Sequence, residues 1–544
     1  MRELQLLDCT LRDGGFVNDW HFGHGDIINI FERLTAAHID IIEIGFLDAR
    51  RAADIQYSIM PDTEMVNQIF RDIRKRPPMV VGMIDYGTCP IENICDKQDS
   101  FMDGIRVIFK KKDAEKAIAF CALLRDKGYK VFVQPVSVTG YSDEEMLRLV
   151  EQVNLLQPFS MSVVDTYGLL HKDNLFHYFH LLNDHLDPQI GIGYHSHNNF
   201  QLAYANCIEL MEQKMDRLLV IDASVYGMGK GAGNANLELI AMYMNDHCGK
   251  NYDINQILEI IDVNILPIYN NTRWGYSLKF YLAASNDCHP EYVSYLLKKR
   301  TLSAKSVNEI LRSLEPQERL SYNAAYIESL YLSYQTRDLD DSAALMTLRD
   351  RFHDRELLIV GPGKSVHTDN AAIARFTKET NPISISINYL PDTLATDYIF
   401  ISNSKRYVPL SNRLASGSVS AQTIATSNVS PVDSAFDFGV EYQKLLDPDF
   451  FISDNSLLMI LKLLSLIGVK KVSLAGFDGY KADKDGGNYL DLSMEYSFST
   501  EKAKAVNSHV IASLSMIRKN GLDIHFITES LYDIDVKHET QQGA

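Results

Sequence analysis

The chain has 544 residues, 46% of them hydrophobic and 23% charged, which excludes an intrinsically disordered protein and a membrane bundle and leaves ample apolar chain for a large core. At roughly 150 residues per domain, that length suggests two or three domains. Lys plus Arg number 53 against 71 Asp plus Glu, and the resulting net charge of −18 argues against nucleic acid or an anionic membrane surface as a partner.

The first residues, MRELQLLDCTLRDGG, carry no long apolar stretch behind a basic flank, so a secretory signal is not expected. No apolar run reaches the roughly 18 residues needed to span a bilayer. The seven cysteines (Cys9, Cys89, Cys95, Cys121, Cys207, Cys248 and Cys288) are odd in number, scattered and free of CxxC spacing. Reduced thiols in a cytoplasmic protein fit them better than a zinc ribbon or a disulfide framework.

Through the first 230 residues, strand-like apolar runs alternate with amphipathic helical stretches. The runs are 4–9 (LQLLDC), 40–46 (DIIEIGF), 79–85 (MVVGMID), 104–109 (GIRVIF), 130–136 (KVFVQPV), 160–165 (SMSVVD), 190–195 (IGIGYH) and 218–222 (LLVID). Helical patterns such as 26–37 and 143–156 lie between them. Continuous apolar strands point to a parallel sheet covered on both faces. Eight such units predict a (β/α)8 barrel, with an open doubly wound sheet as the alternative. From about 236 to 345 the strand signal gives way to helices, including 254–261, 290–299 and 304–314, with breaks at Pro267 and Pro316. The run 336–342 (TRDLDDS) precedes a renewed alternation. ELLIVGPGKS (356–365), ISISINY (383–389), YIFIS (398–402) and VSLAGFD (472–478) predict a second, Rossmann-like α/β domain, with the Ser/Thr-rich stretch 416–430 as an exposed loop. The expected organisation is a barrel over 1–280, a helical extension over 281–350 and an α/β domain over 351–544.

Three motifs fall at the C-terminal ends of predicted barrel strands, the face where barrel active sites form. They are Arg12-Asp13-Gly14-Gly15 after strand one, His195-Ser196-His197-Asn198-Asn199 ending strand seven, and the glycine-rich 227–234 (GMGKGAGN) after strand eight. Those strands become neighbours when the barrel closes. His195 and His197 are two apart on an extended segment and share a face. With the Asp13 carboxylate they make an N2O donor set for a divalent ion, Mn²⁺, Mg²⁺, Co²⁺ or Zn²⁺. Arg12 beside them could stabilise an enolate or alkoxide, and the glycine loop, with Gly231 and Gly233, could bring backbone N–H groups to an anionic substrate. Each feature alone has a plainer reading: a satisfied polar histidine, a rim ion pair, a simple turn.

Together, LLDCTLRDGG, GYHSHNN and GMGKGAGN resemble the metal-dependent pyruvate aldolase and lyase superfamily over residues 1 to about 280. The superfamily includes hydroxymethylglutaryl-CoA lyase, isopropylmalate synthase and 4-hydroxy-2-oxovalerate aldolase. HSHNNFQLAYAN (195–206) and the AGN loop are nearest to the last branch. The resemblance implies that Asp13, His195 and His197 hold the metal, with Asn234 completing its shell. It also implies that Arg12 stabilises an enolate, that Glu43 contributes to the site and that Thr166 contacts substrate. Three departures narrow the activity. The branch carries a catalytic histidine shortly after RDG, where this chain has Gly15-Phe16, leaving His21, Tyr141, Tyr167 or a metal-bound water as candidate bases. Biotin-dependent carboxyltransferases place a lysine where Val164 precedes Asp165, so carboxyl transfer is not expected. The lyases use a cysteine in the late glycine loop, and residues 226–236 have none.

The expected activity is therefore a class II aldolase joining the enolate of pyruvate or a related 2-oxo acid to an aldehyde, sugar-derived aldehydes included. The rivals are a Claisen-type acyl-CoA synthase or lyase and a catalytically silent barrel scaffold. In the second domain, Gly361-Pro362-Gly363-Lys364-Ser365 could receive a phosphate or nucleotide, and Asp478 could contact a ligand or cap a turn. Short segments there resemble bacterial sialyltransferase-like and nucleotide-sugar domains. The helical extension could mediate a homo-oligomer.

Overall fold

Residues that alternate between two buried surfaces explain the uninterrupted apolar runs. In the computed structural model, Leu6, Ile42 and Val80 pack into the layer between strands and helices, while their neighbours Leu7, Ile41 and Val81 pack inside a barrel with Phe132 and Val220. The strands are β1 (Leu4–Asp8), β2 (Ile41–Leu47), β3 (Met79–Asp85), β4 (Gly104–Phe109), β5 (Lys130–Pro135), β6 (Ser160–Asp165), β7 (Gly191–Ser196) and β8 (Leu219–Ala223). All pair in parallel. β1 meets β8 through Leu4–Leu219 and β2 through Leu7–Ile41, so the sheet closes and the open-sheet alternative falls away.

The structure describes residues 3–299, 302–336, 339–417, 419–432, 435–447, 452–481, 489 and 499–533. The chain divides into two units, Met1–Pro290 and Glu291–Ala544. In the first, helix α1 (Asp143–Leu156) shows how local sequence sets an element. Ser142 and Glu145 form a reciprocal capping box at its start, and Asp143, Glu144 and Glu145 place negative charge on the positive end of its dipole. Met146, Leu149, Val150, Val153 and Leu156 make its buried stripe, and Gln157 ends it in a left-handed conformation. At Pro267 the structure departs from the expected break. The chain passes through a π-helical turn at Ile261–Ile265 into helix α2 (Leu266–Asn271), whose first turn tolerates a proline because its N–H has no partner to lose. The next helix, α3 (Leu278–Ser285), belongs to the first unit, and Phe280 reaches the barrel's glycine loop at Gly231.

The second unit holds a parallel sheet of seven strands in the order β13-β12-β11-β10-β9-β14-β15. These are β9 (Leu357–Val360), β10 (Ile383–Ile387), β11 (Tyr398–Ile401), β12 (Gln422–Thr426), β13 (Phe438–Val440), β14 (Lys471–Ala475) and β15 (Asp523–Phe526). The expectation of an exposed loop over 416–430 is corrected. Gln422–Thr426 is a strand paired on both sides, with Ile424, Ala425 and Thr426 buried. Its threonines are β-branched strand formers as readily as turn residues, and pairing on both edges settled the choice. Asp478 caps the turn at 361–365: its carboxylate accepts the Ser365 N–H at 3.0 Å and the Ser365 hydroxyl. Among the described residues no helix is long and apolar enough to cross a membrane.

Candidate active site

Strand alternation aims a second set of residues at the barrel interior, above its apolar layer. Glu43 follows Ile41 by two positions and Asp222 follows Val220 by two, so both face inward, as do Arg106 and His195. Asp13 arrives from the single helical turn Thr10–Asp13 that follows β1. His197 lies just beyond β7, bridged in antiparallel fashion to Asn234 of the glycine loop. Closure of the barrel brings one carboxylate oxygen of Asp13 and one ring nitrogen of each histidine within 4.8 Å of one another, all from buried residues.

A buried chain of alternating charge connects these groups. Asp13 pairs with Arg12, whose Nε donates to Glu43 at 2.8 Å; Glu43 also accepts from Arg106 at 3.0 Å. Arg106 pairs with Asp222, which holds His195 Nδ1 at 3.0 Å. With His195 Nδ1 donating to that carboxylate, its Nε2 lone pair is left for a ligand. His197 Nδ1 likewise meets the Lys230 carbonyl at 3.1 Å. Orientation of metal-binding imidazoles through the opposite nitrogen follows this pattern. Burial would raise the Asp13 pKa, but the Arg12 guanidinium and the Asn234 amide donor hold the carboxyl well below its usual range. Burial pushes His197 down to about 3, keeping it neutral. Asp222 is also lowered, with Arg106 and His195 outweighing burial.

Three carboxylates face two guanidiniums here, so these five groups together carry one net negative charge in a buried setting. Asn234 donates from Nδ2 to Asp13 at 2.8 Å, and its Oδ1 is buried without a partner. Gly229 borders the same carboxylate; a Cβ there would collide with Asn234 Nδ2 and Asp13 Oδ2. An N2O donor set, an orphaned amide oxygen and an excess of negative charge fit a divalent cation.

The remaining expected residues take varied positions. Arg12 Nη2 is buried with no partner. Thr166, after β6, accepts the Ser137 N–H at 2.7 Å. Gly233 turns the loop with a φ of 84°, and its N–H donates to the Lys230 carbonyl at 3.1 Å, so that donor is spent inside the loop. Gly231 sits beside Asn199, which ties the loop to the Tyr167 carbonyl and the Ala232 N–H. Phe16 is 42% exposed, packs edge-on against Trp20 and lies 5.4 Å under the Lys230 ammonium. His21 is exposed against Tyr57, Tyr141 has a buried hydroxyl without a partner, and Tyr167 contacts His289 edge-on. Arg106, Asp222, Asn199 and Lys230 were not among the expected site residues. The signal for the first two was a lone charge inside an apolar barrel strand, GIRVIF and LVIDA.

The HMGL-like family model matches residues 104–263. The chain is 27% identical over 288 residues to oxaloacetate decarboxylase of Mycobacterium tuberculosis, covering 52% of this chain and 83% of that protein. It is 27% identical over 248 residues to 4-hydroxy-2-oxovalerate aldolase 2 of Salinispora arenicola, covering 44% and 68%. Among solved structures, HMG-CoA lyase of Bacillus subtilis superposes with a TM-score of 0.40 at 15% identity, over 50% of this chain and 94% of that one.

Proposed function

We propose that this HMGL-like barrel, whose named relatives are carbon–carbon lyases, is a divalent-metal-dependent aldolase acting on pyruvate or a related 2-oxo acid and an aldehyde. The observation that carries the reading is the convergence of Asp13, His195 and His197 donors where the two ends of the buried charge chain meet, with an unpaired Arg12 donor beside them. Asp13, His195 and His197 would hold the ion, with the Asn234 oxygen available to it. When bound, the ion supplies Lewis-acid polarisation of the 2-oxo acid. Arg12, fixed by Asp13 and Glu43, donates its free Nη2 to the oxygen that gains charge as the enolate forms. In the synthetic direction the C3–H bond of the 2-oxo acid breaks, C3 bonds the aldehyde carbon, and the aldehyde oxygen takes a proton. Lys230, over Phe16, offers positive charge to the substrate carboxylate, and Thr166 and Gly231 border the substrate.

A second reading rests on Phe16. A phenyl ring cannot accept the C3 proton where relatives of the aldolase branch carry a histidine. Loss of CO2 from oxaloacetate reaches the same pyruvate enolate without a base, and one relative is named for that reaction.

The test is Mn²⁺-dependent exchange of pyruvate C3 protons, followed by NMR, together with retro-aldol and oxaloacetate decarboxylation assays that include sugar aldehydes as acceptors. Aldol cleavage and proton exchange lost in Asp13→Asn and His195→Ala are expected. CO2 release without proton exchange would select the decarboxylase, and full turnover after exhaustive chelation would refute both. Arg12→Lys is expected to lower kcat by roughly 10²–10³-fold.

A further inference from the structure

The aldolase reading leaves one role unfilled, because Phe16 stands where a proton-accepting side chain is needed. The candidates read from sequence fit that role poorly. The Tyr141 hydroxyl is sealed from solvent, and burial pushes it up to about 12. Burial raises Tyr167 as well, and His21 is exposed against Tyr57.

Strand β3 supplies another group. Met79 and Val81 face the barrel interior, Met83 packs with Trp20, Phe46 and Ile59, and the pairing with β4 stays in register to Asp85. Alternation therefore turns the Asp85 side chain to the same inner face, at the open C-terminal end. The register sets its height. Met83 lies opposite Arg106 of the buried charge chain, and Asp85 is two residues on, roughly 7 Å nearer the mouth. The six residues of β3 before Asp85 are buried, whereas Asp85 itself is exposed. Among the described residues no hydrogen bond or salt bridge engages its carboxylate.

Three other elements supply the charges around it. Lys110 continues β4 in extended form, two residues beyond Ile108 on the inner face. Arg50 and Asp48 follow β2, and the Arg50 Nε donates to Asp48 at 2.7 Å. Lys230 belongs to the glycine loop, and both Asp13 and Asp85 act on its ammonium. Its N–H also reaches the Asp13 carboxylate and its carbonyl the His197 ring, so Lys230 links Asp85 to the donor trio. Partial enclosure raises the Asp85 carboxyl above its ordinary value, although Lys110, Arg50 and Lys230 pull it down. That direction suits a group that exchanges protons near neutral pH.

We propose that Asp85 is the general base of the barrel reaction, a role that rests on the aldolase reading above. In the synthetic direction its carboxylate takes the proton from C3 of the 2-oxo acid, and the electron pair of that bond stays in the enolate. C3 then bonds the aldehyde carbon, and the aldehyde oxygen takes the same proton back from Asp85. The carboxylate is restored, and no further acid or base is consumed.

The test follows exchange of pyruvate C3 protons by NMR in the Mn²⁺-loaded full chain and in its Asp85→Asn, Asp85→Glu and Asp85→Gly variants. Mn²⁺ affinity is read in parallel by calorimetry. Asp85→Asn is expected to slow exchange by roughly 10²–10⁴-fold and to bind Mn²⁺ as the wild type does. Asp85→Glu keeps a carboxylate and is expected to recover part of that loss, and added formate is expected to restore exchange to Asp85→Gly. Wild-type exchange in Asp85→Asn would overturn the assignment. So would a parallel loss of Mn²⁺ affinity, or a loss that neither Asp85→Glu nor formate reverses. Each of those results leaves the aldolase reading standing. A wild type that exchanges no C3 protons would instead overturn the reading and the base together.

Discussion

Arg106 is among the largest fully buried side chains, at 1% exposure, and it is held between Glu43 and Asp222. A charge so enclosed tolerates no loss of its partners. Arg106→Met would leave two carboxylates facing each other, and urea titration is expected to show a loss of about 3–5 kcal/mol. Asp222→Asn is milder in shape but removes the charge that fixes the His195 tautomer. Mn²⁺ affinity, read by calorimetry, is expected to fall about 10–100-fold. His197 gives the pH dependence. Its folded pKa, about 3, lies below the ordinary imidazole value, so the unfolded chain binds the extra proton between those values. Its contribution to stability is present above about pH 6.5 and is lost as pH falls towards 3. Urea titrations of chelated protein between pH 7 and 5 should therefore show a decline of at most about 1.4 kcal/mol per pH unit from this group, flattened in His197→Gln.

At the scale of elements, two kinds of segment behave differently. Helix α1 is specified within itself by the Ser142–Glu145 box, its acidic first turn and its buried stripe. Ser142→Ala is expected to cost about 1 kcal/mol in chemical denaturation and to leave metal binding unchanged. The glycine loop is specified from outside. Lys230 N–H donates to Asp13 at 3.1 Å, Ala232 N–H to Asn199 at 2.9 Å, and Gly229 leaves no room for a methyl group beside Asn234. Gly229→Ala is expected to keep the circular-dichroism spectrum of the fold and lose Mn²⁺ binding. The same contrast explains which elements could be read in advance. Helix α1 and the barrel strands carry their pattern in consecutive residues, whereas Gln422–Thr426 became a strand only through its two neighbours, and its Ser/Thr composition reads equally well as a loop.

At the scale of the whole chain, the apolar clusters of the barrel are drawn from residues 4–274, and the core around the second sheet from residues 348–532. Residues 1–290 expressed alone are accordingly expected to unfold cooperatively and to bind Mn²⁺ as the full chain does. The eight strands, the three motifs at their ends and the second α/β sheet were legible because alternating burial, caps and turn residues act over a few neighbouring positions. The donor trio could be named from sequence once a barrel was assumed, since closure alone makes β1, β7 and β8 adjacent. The chain of charge behind it could not. Arg106 and Asp222 are 116 residues apart and Arg12 and Glu43 are 31 apart, and their pairing exists only inside the closed barrel. Nor could the missing partner of the Asn234 amide oxygen be recognised, since it depends on everything packed around it. Local sequence determined which elements form and which residues they carry to one end. Tertiary structure decided which buried polar groups are satisfied and which are left for a ligand, because hydrogen-bond satisfaction depends on contacts among residues distant in the chain.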